Sequence, residues 1–381
     1  MLLKLLLLPL ALLLLALSLL TAMRVPVAVN WRLAVLAGEY GYLLAVLPLG
    51  LAAVIWWSRP SAAWPWALVG WLICAVALGL LLKPVVEAAL LGRTLPARLT
   101  TAFGPARPEQ PEFSLGRLFA RRPPVAAVTS HEYAPGLQLD LRRPTDTASP
   151  APVVIVIHGG GWDGGDRNEV AGFNDWLVTQ GWAVAAVDYR LAPAHPWPAQ
   201  REDVLAAIAW LKDHGGELGL DANRLVLFGR SAGGQIASAV GYGTHDPAIR
   251  GVIALYAPFD MEFAWSVSRA DDALNSLNLM RQFLGGPPEE TRREIYRSAS
   301  AQELVQAGRT PPTLLLHGSL DTLVWRRHSE RLAARLAAAG VPHAFIELPW
   351  AVHAFEYNPH GPGGQLTTFA CGWFLARLRG D

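Results

Sequence analysis

Residues 224–240 read RLVLFGRSAGGQIASAV, in which an apolar run passes through a serine between two glycines into an alanine-rich run. This pattern predicts a buried strand that ends at Arg230, a tight turn at Ser231 and a helix directly after it. In such a turn the serine adopts a strained backbone conformation, and side chains two residues before and after it would collide. Gly229 and Gly233 remove that collision. The serine oxygen would then project at a helix N-terminus, where developing negative charge is favoured.

A serine hydroxyl is a poor nucleophile until a base removes its proton, so a catalytic serine also requires a histidine and an acid that orients it. Asp321 and His353 each follow a predicted strand, and the chain order of serine, aspartate and histidine fits this architecture. We therefore expect Ser231, Asp321 and His353 to be the catalytic residues. Asp260 remains an alternative acid, His317 remains an alternative base, and a tight turn without a chemical role remains the alternative for the serine.

The tetrahedral intermediate of acyl transfer needs backbone donors for its oxyanion. Residues 158–162 read HGGGW and follow an apolar run, and three successive glycines let the chain fold back with its N–H groups toward a substrate oxygen. The N–H of Ala232, directly after the serine, is expected to supply another donor. A phosphate-binding loop is the alternative, but the segment lacks the Lys-Ser/Thr pair of a P-loop.

From about residue 125 onward, short β-branched runs alternate with helical patterns, which is typical of a largely parallel sheet covered by helices. The runs are nearly all apolar, as expected for strands buried on both faces. The predicted strands are an amphipathic edge strand at 137–143 and buried strands at 152–159, 181–190, 224–230, 251–258, 312–318 and 343–349. The predicted helices are 201–214, 231–241, 325–340 and 366–379.

Most of the hydrophobic excess, 52% of the chain overall, lies in the N-terminal segment. The stretches 2–20, 33–57 and 66–82 each have about the 17 to 25 residues that cross a bilayer as a helix, so three transmembrane helices are predicted. Buried core helices are disfavoured because the stretches lack the polar faces of soluble helices. The first stretch has an alternative as a cleaved signal peptide, but its apolar run is longer than the usual h-region, so we expect it to be retained.

Charges that flank these stretches bear on topology. With three retained spans, the side that carries the rest of the chain also carries five basic residues, namely Arg24, Arg32, Lys83, Arg93 and Arg98, against Lys4 and Arg59 on the other side. The positive-inside rule then predicts a multi-pass membrane protein whose large C-terminal part is cytoplasmic, whereas a cleaved first stretch would place that part outside. Glu39 is the one acidic residue within the second stretch, where it could line a polar helix contact, act as a functional group or reach the interface.

The chain is therefore divided into a membrane domain at 1–94, a Pro- and Arg-rich linker at 95–124 and a catalytic domain at 125–381. The net charge of +1 gives no reason to expect a nucleic-acid partner. Cys74 falls in the third apolar stretch and Cys371 in a late helical pattern, so neither a disulfide nor a metal site is expected.

From residue 125 to its end, the chain resembles α/β-hydrolases of the hormone-sensitive-lipase-like esterase group, which includes bacterial carboxylesterases. The motifs that carry the resemblance, in order, are HGGGW (158–162), DYRLAPAHPWPA (188–199), GRSAGG (229–234), HGSLDTLV (317–324) and VHAFE (352–356). The resemblance implies a Ser231, Asp321 and His353 triad, and an oxyanion hole formed by Gly160, Gly161 and Ala232. It also implies a structural ion pair between Asp188 and Arg190 beneath the oxyanion loop.

Two features depart from that group. Membrane stretches and a linker occupy the place of its N-terminal helical cap, so acyl specificity does not transfer. The segment 261–311 suggests either a small helical lid or ordinary packing on the sheet, on the basis of Trp265, Leu274, Leu277, Met280 and Phe283.

The expected function is that of a membrane-anchored serine esterase that acts on a small-molecule or lipid-like ester at the bilayer, without metal or cofactor. An amidase or formamidase is an alternative because such enzymes share the HGG-x-W loop. An isoprenylcysteine-methylesterase-like hydrolase is another, because those enzymes have a similar layout of N-terminal spans. A membrane scaffold without turnover is the alternative from a different functional class.

Overall fold

A computed structural model describes residues 2–25, 28–58, 64–121, 125–145 and 149–379. Its centre is an eight-stranded sheet in the order β1-β2-β4-β3-β5-β6-β7-β8. The strands are β1 (Val128–Ala134), β2 (Leu137–Arg142), β3 (Ala151–Ile157), β4 (Ala183–Val187), β5 (Leu220–Arg230), β6 (Ile249–Leu255), β7 (Thr313–Gly318) and β8 (His343–Leu348). All neighbours from β4 to β8 pair in parallel, whereas β1 and β2 pair antiparallel at one edge. The mostly parallel sheet predicted from the sequence is confirmed.

Helices cover both faces of the sheet and also form the N-terminal part of the chain. They are α1 (Leu2–Leu19), α2 (Ala28–Leu44), α3 (Val46–Ser58), α4 (Trp64–Phe103), α5 (Ala171–Thr179), α6 (Ala199–His214), α7 (Ala232–Gly243), α8 (Met261–Val267), α9 (Ser276–Leu284), α10 (Arg293–Ala299), α11 (Ala301–Leu304), α12 (Arg327–Ala338) and α13 (Pro362–Arg379). The short strand β1 and the nine-residue helix α5 lie outside the predicted elements.

Strands β3 and β4 are apolar at every position because both faces of the sheet are covered there. Along β3, Val153 and Ile155 belong to the core cluster on one face, whereas Val154 and Val156 belong to the cluster on the other face. All four side chains are nearly or completely buried. Successive side chains of a strand point to opposite faces, so this alternation within an unbroken apolar run indicates a doubly covered sheet.

The N-terminal helices differ from the three predicted spans. One described helix, at Pro65–Phe103 within α4, is long and apolar enough to cross a membrane. Helices α2 and α3 reach that length only as a pair, and they are bent by 57° relative to each other. The apolar part of α1 is shorter, so the described residues give one candidate span, or two if the bent pair is counted, and three are not confirmed. Pro48 explains the bend, because it has no N–H for the carbonyl of Leu44, where α2 ends.

The predicted linker at 95–124 begins in regular structure. Helix α4 continues through residue 103, so residues 95–103 are helical and not extended. Leu95 and Leu99 are completely buried in the core cluster that contains residues of α13 and β8. Burial of each leucine contributes about 1.5–3 kcal/mol, which offsets the cost of Pro96 inside the helix. The helix therefore joins the N-terminal part of the chain directly to the sheet domain.

Candidate active site

Ser231 lies at the turn between β5 and α7, with φ 52° and ψ −121°, a conformation that residues with a side chain rarely adopt. A Cβ at Gly229 would overlap the carbonyl oxygen of Gly233, and a Cβ at Gly233 would overlap that of Ile157. The turn therefore requires both glycines for the steric reason expected from the sequence. The Ser231 N–H donates to the Leu255 carbonyl at 3.0 Å, which fixes the turn to β6.

Asp321 and His353 are joined by a hydrogen bond of 2.7 Å between Asp321 Oδ2 and His353 Nδ1. The other carboxylate oxygen accepts the backbone N–H groups of Leu323 at 2.9 Å and Val324 at 3.0 Å. Burial alone would raise the pKa of Asp321, but the neighbouring His353 and His317 outweigh it and hold that pKa well below its usual range. The buried acid is thus ionised at neutral pH, and it accepts a hydrogen bond from the Nδ1–H of His353.

His317, the alternative base, is completely buried and has partners on both ring nitrogens. Its Nδ1 lies 2.7 Å from Ser329 Oγ, and its Nε2 lies 2.9 Å from the Val324 carbonyl. The same Nε2 is 3.4 Å from Asp321 Oδ2. Both ring nitrogens of His317 are therefore engaged within the protein, and the residue lies beside the acid.

Asp260, the alternative acid, has a different structural task. One of its oxygens accepts the N–H of Phe263 at 3.0 Å, which caps the N-terminus of α8. The other lies 2.5 Å from a nitrogen of Arg331 on α12. Both carboxylate oxygens are thus engaged away from His353.

Among the described residues, no hydrogen bond joins Ser231 to His353. The two residues are related through the end of β6. Leu255 holds the backbone of Ser231, and the ring of the next residue, Tyr256, lies 4.2 Å from the imidazole of His353 between ring centroids. At the end of β6, Leu255 therefore contacts the Ser231 turn, and the next residue, Tyr256, contacts His353.

The predicted oxyanion donors have unengaged N–H groups. In the described part of the chain, the backbone N–H groups of Gly160, Gly161 and Ala232 have no hydrogen-bond acceptor. Gly160 and Gly161 have φ values of 101° and 62°, and a Cβ at Gly160 would overlap the Gly164 carbonyl. Because orphan backbone donors are rare inside proteins, three of them near one serine indicate a site for an anionic oxygen.

The loop that carries these glycines is held by buried polar contacts. The Tyr189 hydroxyl lies 3.1 Å from both the His158 and the Gly159 carbonyls, and the Gly159 N–H donates to Glu169 at 2.6 Å. Trp162 Nε1 donates to a side-chain oxygen of α7 at 2.9 Å. These bonds fix the loop before any substrate binds, which is the preorganisation that transition-state stabilisation requires.

The prediction of an ion pair between Asp188 and Arg190 is wrong. Asp188 instead pairs with Arg167 at 2.5 Å, and Arg190 binds Asp203 at 2.8 Å and Glu202 at 3.2 Å. Asp188 and Arg190 follow the end of β4 at Val187, and each finds its partner on a different segment. Arg167 lies in the loop before α5, whereas Glu202 and Asp203 lie on α6.

A small cavity of about 70 Å³ adjoins Ser231. Gly161 and Ala232 line it together with the serine, and the segment from α8 to α9 covers it through apolar residues that include Leu274, between the two helices, and Met280 of α9. Of the residues on which the lid and sheet-packing alternatives depended, Leu274 and Met280 line the cavity. Phe283 stacks on Trp162 at 4.2 Å and belongs to the core cluster that contains residues of β3 and β5. Leu277 and Trp265 are not among the lining residues.

One buried network near the serine was not anticipated. Arg230, directly before Ser231, donates through Nε to Glu356 Oε1 at 2.9 Å, and the Tyr256 hydroxyl donates to the same oxygen at 2.5 Å. The Arg230 and Glu356 side chains are only 1% and 0% exposed. Since Glu356 lies three residues after His353, this ion pair ties the nucleophile turn to the histidine loop. In the sequence, the signal for this ion pair is that the GRSAGG and VHAFE motifs each contain one charged residue, Arg230 and Glu356.

Comparison with known proteins gives a consistent family. A family model described as BD-FAE matches residues 139–336. The chain is 31% identical over 265 residues to Esterase LipC of Mycobacterium tuberculosis, and the alignment covers 62% of this chain and 64% of that protein. It is 29% identical over 264 residues to the probable carboxylic ester hydrolase LipM of the same organism, which covers 65% of this chain and 59% of that protein. The chain thus spans less than two thirds of the length of either relative.

Solved structures share the fold. Esterase LipW from Mycobacterium marinum matches with a TM-score of 0.58 and 24% identity over 79% of this chain and 90% of that chain. A bacterial heroin esterase matches with a TM-score of 0.58 and 23% identity over 77% of this chain and 97% of that chain. At this identity the likeness establishes the α/β-hydrolase fold.

Proposed function

The chain belongs to the BD-FAE family, and from that premise we propose that it is a serine hydrolase that cleaves carboxylic esters. The observation that carries the proposal is the set of unengaged N–H groups of Gly160, Gly161 and Ala232 beside the strained Ser231. Two of these residues line the same cavity as the serine. A nucleophile, an oriented histidine and backbone donors for an oxyanion are the parts that acyl transfer needs.

The mechanism proceeds in two acyl-transfer steps. His353 Nε2 takes the proton of Ser231 Oγ as that oxygen attacks the ester carbonyl, while Asp321 holds Nδ1 and stabilises the imidazolium. The oxyanion accepts hydrogen bonds from the amides of Gly160, Gly161 and Ala232, and the alcohol leaves with the proton from His353. Water then attacks the acyl-enzyme with His353 as base, which releases the acid and restores Ser231.

This mechanism requires a hydrogen bond between Ser231 and His353, which is not among the hydrogen bonds of the described residues. Catalytic hydrogen bonds are commonly long or poorly aligned without substrate and tighten in the complex. We expect rotation of the Ser231 side chain toward the imidazole to form it. The strained backbone already fixes the position from which the side chain turns.

The small cavity predicts a preference for short acyl groups. A volume of about 70 Å³, lined largely by apolar side chains, suits an acetyl to butyryl group rather than a long chain. With p-nitrophenyl acetate, butyrate, octanoate and palmitate as substrates, we expect kcat/KM to peak at acetate or butyrate and to be at least about tenfold lower for palmitate. The measurement is the initial rate of p-nitrophenol release by detergent-solubilised protein.

An optimum at palmitate would contradict the short-acyl assignment while leaving a serine esterase in place. Hydrolysis of an N-formyl arylamine without hydrolysis of any ester would instead support the amidase alternative. Cleavage confined to a prenylcysteine methyl ester would support the methylesterase alternative.

We further propose that the N-terminal helices insert in a bilayer as a multi-pass anchor, with the catalytic domain on the cytoplasmic side. Large apolar side chains are exposed along these helices, including Leu13 at 65%, Trp57 at 87% and Leu72 at 58%. Soluble proteins rarely expose large contiguous apolar surfaces, whereas lipid covers such surfaces in a membrane. The same anchor would bring a lipophilic ester to the catalytic domain.

The full-length protein is therefore expected to stay in the membrane pellet after extraction with alkaline carbonate and to be released by detergent. A soluble cytoplasmic protein expressed in the same cells serves as the control for complete extraction. Recovery of the protein in the carbonate supernatant would contradict the membrane anchor. That outcome would leave the esterase proposal intact, because the catalytic residues lie outside the anchor.

A further inference from the structure

The N-terminal helices contact the loops that carry the acid and the base. The hydroxyl of Thr322, the residue after Asp321, donates to the backbone carbonyl of Val25 at 2.6 Å. Trp31 Nε1 donates to the backbone carbonyl of His353 at 3.0 Å, and the indole lies edge-on to the imidazole with 6.4 Å between ring centroids. Val25, just before α2, thus binds the loop of the acid through Thr322. Trp31, in the first turn of α2, binds His353 itself.

An apolar cluster supports these hydrogen bonds. Val25, Ala34 and Val352 are 6%, 2% and 5% exposed and pack together. Trp31 and Leu320 pack against this cluster and are themselves partly buried. The residues directly before the acid and the base, Leu320 and Val352, therefore share one small core with the N-terminal segment.

Glu39 makes the second attachment, two turns farther along α2. Its carboxylate accepts the Gly363 N–H at 2.9 Å and Trp350 Nε1–H at 3.4 Å, and its backbone carbonyl accepts Asn358 Nδ2–H at 3.1 Å. The Glu39 side chain is 1% exposed, and a Cβ at Gly361 would overlap its carboxylate. The carboxylate binds residues before and after His353, so it fixes both ends of the histidine loop.

We propose that Trp31 and Glu39 of α2 are positioning residues that hold the His353 loop where its Nδ1 meets Asp321. This inference rests on the proposed serine esterase function. Between β8 and α13 the described loop contains no helix or strand, and its own backbone hydrogen bonds are local turns, such as the Tyr357 N–H to Ala354 and the Gly361 N–H to Asn358. The contacts with α2 add attachments to a distant part of the chain. Misplacement of a catalytic group by about 1 Å can cost about a hundredfold in rate. The N-terminal helices therefore complete the catalytic geometry in addition to anchoring the chain.

The test uses the full-length protein in detergent with p-nitrophenyl butyrate. Trp31→Phe keeps the ring packing and removes the donor to His353, and Glu39→Gln keeps the shape but turns an amide NH₂ toward one of the two donors. We expect each variant to lose about ten- to a hundredfold in kcat with KM within about twofold of the wild type. Trp57→Phe, the same exchange at an exposed position of α3, is the matched control and keeps the wild-type kcat.

Rates are expressed per active site titrated with a fluorophosphonate, so that unfolded protein does not count. A kcat loss that survives this correction, together with an acid limb of the kcat/KM pH profile that moves to lower pH, supports positioning, since a displaced Asp321 stabilises the protonated imidazole less. Wild-type kcat per titrated site in both variants would overturn the inference alone. If the wild type hydrolyses no ester and takes up no fluorophosphonate, the proposed function itself fails.

Discussion

Replacing Ser231 by alanine is expected to lower kcat for p-nitrophenyl butyrate by about 10⁶-fold, because the substitution removes the nucleophile of the proposed mechanism. The remaining rate over water would come from the oxyanion donors and from binding. The measurement is the initial rate at saturating substrate, together with covalent labelling by a fluorophosphonate. We expect the labelled band of the wild type to be absent from the variant.

The substitution separates chemistry from folding. In the described part of the chain, Ser231 Oγ makes no hydrogen bond, so alanine removes no stabilising contact and inherits the same strained backbone. The melting temperature should therefore remain close to that of the wild type. Ser238→Ala is the matched control, since Ser238 lies buried on the same helix and bonds only the Gly234 carbonyl, at 2.8 Å. Activity of Ser231→Ala within tenfold of the wild type would refute the assigned nucleophile and revive the scaffold alternative.

The parts of the fold that could be predicted are those encoded locally. The strands β3 to β8 were predicted because an unbroken apolar run bounded by polar residues and glycines has few other solutions in a chain of this length. The turn at Ser231 was predicted because a turn this tight leaves no room for side chains at positions 229 and 233, and both residues are glycine. In both cases, the physical cause and the sequence signal lie within a few residues of each other.

Contacts between distant segments could not be predicted in the same way. Arg230 and Glu356 are 126 residues apart, and Glu39 and Gly363 are 324 apart. The hydropathy of residues 33–57 predicted a single span that includes Glu39. Average hydropathy does not indicate that the chain bends near Pro48. Nor does it indicate that the Glu39 carboxylate has a buried partner elsewhere in the chain. The expected pair of Asp188 with Arg190 was implied by the family resemblance, which did not indicate that Arg167, 21 residues before Asp188, is its partner in this chain.

Replacing Asp321 by asparagine is expected to lower kcat by about 10⁴-fold while leaving the fold intact. The asparagine carbonyl can still accept the N–H groups of Leu323 and Val324, so the turn keeps its backbone hydrogen bonds. The amide NH₂ then occupies the position of Asp321 Oδ2 and donates toward His353 Nδ1. A ring that accepts at Nδ1 carries its proton at Nε2, and it can no longer take the proton of Ser231.

The matched control is Asp260→Asn, which alters the helix cap of α8 and the pair with Arg331 but leaves His353 untouched. We expect this control to retain kcat within about threefold, with any loss in stability near the 0.5–2 kcal/mol typical of a helix cap. A loss of about 10⁴-fold in Asp260→Asn, with Asp321→Asn active, would transfer the role of acid to Asp260. Since Asp321 bonds His353 at 2.7 Å and Asp260 bonds a helix N-terminus and an arginine, the geometry favours the first outcome.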